Sequence, residues 1–137
     1  MLRQLFADAF DVLQKNLDLR QQRHGVLSAN IANAETPGFI AKDVQFEEAL
    51  RAAVLAPTSE LRRTHPQHLP HTVASLHDVQ GRLVARPSDD VGRDLNSVAM
   101  DQEMAALTTN AFHYNASTEL LSRLFSGLRR TISEGRS

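Results

Sequence analysis

The 137-residue chain has no cysteine, no tryptophan and only 5% aromatic residues, and its formal net charge is -1. Without cysteine, neither a disulfide framework nor a thiolate metal site can form. With so few aromatic rings, any core must be narrow and aliphatic. Lys and Arg are nowhere concentrated beyond pairs such as Arg62 with Arg63 and Arg129 with Arg130, so nucleic acid and acidic membrane surfaces are poor partners. No stretch approaches the ~18 consecutive apolar residues of a membrane span. Met1 to Phe10 carries Arg3, but Asp8 and Asp11 interrupt any apolar run and no small-residue cleavage pattern follows. A cleaved export signal is therefore not expected.

Proline is scarce and unevenly placed. Four of the five, Pro57, Pro66, Pro70 and Pro87, fall in the middle of the chain along with Gly81 and Gly92. That segment is expected to be loop with short extended pieces at Thr72 to Ala74 and Arg82 to Val84, and a small hairpin around Gly81. The flanks read differently. Phe6, Phe10, Leu13, Leu17, Arg20, His24, Leu27, Ile31 and Ala34 alternate four and three apart, which predicts a helix over residues 3–33, about 46 Å long at ~1.5 Å per residue. Met100, Met104, Leu107, Ala111, Tyr114, Thr118, Leu121, Phe125, Leu128 and Ile132 keep the same alternation. They predict a helix over residues 97–131, with Asn96 or Ser97 as N-cap and Asp101 and Glu103 near its positive end. Asp43 can cap a shorter helix with Phe46, Leu50 and Ala53 as its apolar face, ending before Pro57.

The expected fold is mainly α. Two long terminal helices form an antiparallel coiled-coil-like pair, joined by a short third helix and an irregular middle segment with a short β-hairpin. One domain is expected over residues 1–137, divided into an N-terminal helix (1–35), a turn, short helix and loop-rich middle (36–95), and a C-terminal helix (96–137). If Leu13 lies level with Leu121, Arg20 falls opposite Tyr114, over whose ring its guanidinium can stack, and His24 faces Ala111. Arg20 and His24 are polar intrusions that either face solvent or fix the register between helices. A lone hairpin of this kind buries little apolar surface for the number of residues it orders, so further burial against other subunits is expected. Head-to-tail contacts that do not close into a ring would generate a helical polymer.

The most specific stretch runs Ser28, Ala29, Asn30, Ile31, Ala32, Asn33, Ala34, Glu35, Thr36, Pro37, Gly38, Phe39. Asn30 and Asn33 lie three apart, so on a helix both carboxamides share a face, while Ala29, Ala32 and Ala34 leave room for another backbone to come close. Thr36 precedes proline and is pushed out of the helical region, and Pro37 with Gly38 suits the central positions of a type II turn.

This string closely resembles the signature near the N-terminus of the flagellar axial proteins, which build the rod, hook and filament junctions of the bacterial flagellum. The continuation Ala41, Lys42, Asp43, Val44, Gln45, Phe46 resembles the short rod subunits of that family, as do Asn96, Ser97, Val98 leading into Met100 to Met104, and the ending Glu119 to Leu128. The resemblance covers roughly the first 55 and last 45 residues. Phe39 stands where the family often has tyrosine, Glu35 where aspartate is usual, and Ala99 where an acidic residue is common. The resemblance implies a structural subunit of the flagellar basal-body rod, exported without a cleaved signal by the flagellar type III apparatus. Its implied partners are other rod subunits, the rod-to-ring junction protein and the membrane (MS) ring. The implied assembly motif is Ser28, Asn30, Ile31, Asn33, Thr36, Pro37, Gly38 and Phe39.

Catalytic chemistry finds little support. His65, His68, His71 and His77 cluster in the middle segment, but the first three flank Pro66 and Pro70, Asp78 is the nearest carboxylate, and no metalloprotease helix motif is present. Thr64 to Pro70 also resembles a loop of the axial family. No serine sits in a nucleophile elbow and no glycine-rich phosphate loop occurs. No cofactor, metal or reaction is expected. The competing readings are a small soluble helical adaptor or chaperone, and a metal-binding module built on the middle histidines.

Overall fold

The computed structural model describes residues 2–55, 75–86 and 97–135, with side chains described from residue 8 onward. Helix α1 spans Leu2–Ala32, strand β1 Lys42–Gln45, helix α2 Glu47–Leu55, strand β2 Arg82–Ala85 and helix α3 Met100–Glu134. A single 3₁₀ turn at Leu76–Asp78 precedes β2. The chain is mainly helical, and its long terminal helices pack side by side, antiparallel. Asn16 faces Ser117, Asn30 faces Glu103, and the rings of Phe10 and Phe125 meet edge to face at 5.6 Å. This is close to the alignment expected from placing Leu13 level with Leu121.

Helix α1 stops where its sequence says it should. The Asn33 N–H still reaches Ala29 O at 3.1 Å, but Pro37 cannot continue the ladder. The Phe39 N–H closes back on Thr36 O at 3.3 Å and Gly38 holds φ +72°, as the third position of a type II turn requires. Beyond the turn the expected cap at Asp43 is not formed. Lys42–Gln45 is instead a strand pairing antiparallel with β2, in the register Lys42 with Ala85 and Gln45 with Arg82. The hairpin expected around Gly81 is thus a ribbon between segments 40 residues apart. Gly81 sits just before β2, where a Cβ would lie 2.5 Å from Val44 Cγ1 and 2.7 Å from Gln22 Oε1. Only glycine lets the ribbon lie this close to α1. The piece expected at Thr72 to Ala74 lies outside the described residues.

Helix α2 follows Phe46 directly, with the Leu50 N–H bonded to Phe46 O and Glu47 and Glu48 in its first turn, where the helix dipole favours acidic groups. Its expected apolar face is present. Leu50 and Ala53 pack with Val26 around a small core of Leu19, Val44, Phe46 and Val79. Helix α3 begins at Met100, three residues later than expected. Its N-cap is Ala99, whose methyl group makes no capping hydrogen bond, and the hydroxyl of the expected cap Ser97 instead accepts the Ala41 N–H at 2.9 Å.

Candidate assembly interface

The two faces of α3 differ in kind. Its inward face is polar: Glu103, Asn110 and Ser117, seven residues apart, are all buried against α1. Heptad spacing keeps such residues on one stripe. Each has a partner on α1. The Asn16 amide donates to Ser117 Oγ at 2.9 Å, and Asn110 Nδ2 donates to Arg20 O at 2.9 Å while its Oδ1 accepts from Arg20 Nη1 at 3.4 Å. Asn30 Nδ2 donates to Glu103 Oε2 at 2.8 Å, and Arg86 binds the other carboxylate oxygen of Glu103.

Asn30, only 1% exposed, is a hub. Besides Glu103, its carboxamide satisfies both backbone groups of Lys42, donating to the carbonyl at 2.7 Å and accepting the N–H at 3.1 Å. It therefore joins the end of α1, the start of β1 and the first turn of α3. Arg23 adds a second tie. It clasps Asp43 through Nε and Nη2 at 2.8 and 2.9 Å and reaches Glu47 at 2.9 Å. Burial works against the charge on Arg23, but the hydrogen bond to Asp43 and the charges of Asp43, Glu47 and Glu103 raise its pKa above the ordinary arginine value. The arginine side of this clasp is charged at any working pH.

Arg20 differs from expectation. Its guanidinium lies over the ring of Phe46, 5.4 Å from the centroid, rather than over Tyr114. Arg20 and Tyr114 do share a groove with His24, Ala111 and Asn115. Burial lowers the Arg20 pKa, with Glu47 opposing and Arg23 adding to the shift. Arg20 Nε is buried and has no acceptor among the described residues.

The motif from Ser28 to Phe39 divides. Asn30 is internal, Ser28, Ile31 and Phe39 are half-buried, and Thr36, Pro37 and Gly38 are exposed on the turn with Ile40 beyond them. Asn30 and Asn33 do separate jobs: Asn33 lies just past the helix, donating to Ala29 O at 2.8 Å and accepting from Thr36 Oγ1 at 3.2 Å. The backbone that approaches this helix end is the chain's own, at Lys42.

The α1 seam largely faces α3 and the core. Leu27 is buried and Phe10, Leu13, Leu17 and Ile31 are half-buried; Phe6 lies outside the residues whose side chains are described. The α3 seam is turned mostly outward. Met104 is 51% exposed, Tyr114 37%, Phe125 53%, Leu128 37% and Ile132 65%, with Leu107, Ala111 and Leu121 half-buried between them. Phe112 and Leu120 are also exposed, on other faces of α3, whereas no large apolar side chain described on α1 is exposed.

Among the described residues no three His, Asp or Glu side chains gather as a metal site requires, and no helix is long and apolar enough to cross a membrane. His65, His68 and His71 lie outside the described residues.

Comparison with known proteins agrees with this picture. A family model described as flagella basal body rod protein matches residues 10–39, most of α1 and the turn. Over a much longer span, the chain is 34% identical to the flagellar basal body rod protein FlgB of Escherichia coli (strain K12), covering 89% of this chain and 91% of that protein. The FlgB protein of Aeromonas hydrophila is 35% identical, with 93% and 94% covered, and that of Cereibacter sphaeroides 33%, with 93% and 95%. The likeness thus runs through the middle segment as well as the helical ends. The chain belongs to the FlgB family of flagellar basal body rod proteins and is a structural component of the rod.

Proposed function

We propose that this chain is a proximal rod subunit whose α3 stripe packs against neighbouring subunits in a hollow helical assembly. The reading rests on one observation above all. On α3 Met104, Tyr114, Phe125, Leu128 and Ile132 are exposed in the single chain, while among the described side chains of α1 no large apolar residue is exposed. A contiguous apolar patch of this length marks a protein contact. The partners proposed are other rod subunits, the rod-to-ring junction protein and the MS ring, in the periplasm. The subunit would leave the cytoplasm through the flagellar type III export apparatus without a cleaved signal. In the assembled rod it would transmit torque from the motor ring and line the export channel, a role that needs no catalytic group.

The test is a polar stripe. Met104→Gln with Leu128→Gln, in a cell depending on this chain for its rod, is expected to leave helicity and export intact while abolishing rods and swimming. Normal swimming would remove the stripe from the interface.

A further inference from the structure

We propose that Glu103 and Asn110 are the register code of the α1–α3 hairpin: their buried polar bonds select one alignment among several that the apolar residues alone would accept. Apolar residues recur at heptad spacing on both helices, at Phe10, Leu17 and Ile31 on α1 with His24 between them, and at Met104, Ala111 and Phe125 on α3 with Thr118 between them. A slide of seven residues brings similar side chains opposite one another again, so apolar packing discriminates weakly. The polar couples do not repeat in this way. Asn16 with Ser117, Arg20 with Asn110, and Asn30 with Glu103 are three different pairings, the last extended to Lys42 and Arg86.

One slide deserves a specific check, because it has chemistry of its own. Moving α3 so that residue 118 meets Phe10 would bring Glu103 toward Arg23 and Asn110 toward Asn16. Arg23 is already held by Asp43 and Glu47 at 2.8 to 2.9 Å, so the competing ion pair would first have to break that clasp. The slide would also strip Glu103 from Asn30 and Arg86. Single polar residues on a helix seam fix alignment at a cost in stability. That cost is visible in the buried Arg20 Nε, which has no acceptor among the described residues.

Glu103→Leu with Asn110→Leu removes the code; Arg20 Nε and Arg86 Nε, buried without an acceptor among the described residues, are not changed by it. Asn30 keeps both Lys42 bonds, the Arg86 side chain is 36% exposed and reaches water, and Arg20 retains Glu47 at 3.9 Å. The chain has no cysteine, so thiol pairs report alignment cleanly. Full-length protein carrying Phe10→Cys and Phe125→Cys reads the observed register. Phe10→Cys with Thr118→Cys, and with Ile132→Cys, reads the two heptad slips.

With a short bifunctional maleimide, the parent is expected to cross-link at the 10/125 pair about tenfold more than at either slipped pair. In the double leucine variant that preference is expected to fall to about twofold, a fivefold loss equivalent to about 1 kcal/mol, the net worth of about one hydrogen bond. Glu103→Gln, which keeps the size and an acceptor, is expected to restore most of the preference. If the double variant loses its helical circular dichroism, Glu103→Leu alone is used, with a preference expected near fivefold on the same reasoning. An undiminished preference in the leucine variants, or no preference in the parent, overturns the proposal. The measurement is made on dilute protein, so its outcome is independent of the rod-packing reading.

Discussion

The two ends of the helical hairpin are built on different principles. Where α1 ends and α3 begins, the helices are closed over by the β-ribbon and α2. Leu27, Asn30, Ala41, Val44, Phe46 and Glu103 are all buried there, and polar groups are matched across four segments. At the other end the described residues add to the helix pair the Leu76–Asp78 turn, where Lys15 Nζ donates to His77 O at 3.3 Å. Phe10 meets Phe125 edge to face, but Leu120, Phe125, Leu128 and Ile132 remain exposed. The closed end has what it needs to fold within one chain. The open end exposes apolar side chains among the described residues, and on the proposed reading neighbouring subunits cover them.

Amide hydrogen exchange would put the largest number on this contrast. Local opening follows buried apolar contact and burial of backbone bonds. In dilute protein, amides of residues 19–30 and 41–46 are expected to exchange at least about a hundredfold more slowly than those of residues 120–134. In assembled rods the second group should slow to match the first. Uniform protection along α3 in the dilute protein would erase the distinction between the ends.

A substitution at the hub breaks the closed end directly. Asn30→Leu is close in size but removes the bonds to Lys42 O, Lys42 N and Glu103 Oε2. The strand backbone at Lys42 is left without its partners in a partly buried setting. At about 1–3 kcal/mol for each buried polar group left bare, a total loss of about 3 kcal/mol is expected. Urea denaturation followed by circular dichroism measures it, and an unchanged midpoint would mean that the hub contributes nothing to the closed end.

How far the sequence anticipates this contrast depends on the residue. The 4-3 alternation yields α1 within a residue at each end, α3 within three, and their antiparallel alignment, because helix length and period are local properties. The turn at Pro37 and Gly38 is equally local. Strand β1 is hidden because Lys42–Gln45 holds a single apolar residue, Val44, and its partner lies 40 residues away. Asp43 looks like a helix cap but serves Arg23 instead. The inward stripe of α3 is missed for a different reason: counting apolar residues finds the stripe that faces outward, while Glu103, Asn110 and Ser117 resemble surface residues one by one. Their seven-residue spacing, facing the polar residues Asn16, Arg20 and Asn30 on α1, is the signal that could have found them.

The smallest expected effect on stability, and the sharpest on the boundary between the two regions, comes from Asn33→Leu. Asn33 sits where the closed end meets the exposed turn. Its bonds to Ala29 O and from Thr36 Oγ1 are local and exposed, so their loss should cost no more than about 1 kcal/mol. If the turn served only to reverse the chain, a change this small would leave swimming unaltered. The turn, however, presents Thr36, Pro37, Gly38 and Ile40 outward, and Asn33 sets where Thr36 lies. On the reading that the turn belongs to the subunit contact, Asn33→Leu should still be exported and should fold with a nearly parental melting curve, yet should fail to enter rods. Motility and basal-body preparations decide it: normal swimming would confine the role of this turn to the chain's own fold and leave the α3 stripe as the assembly surface.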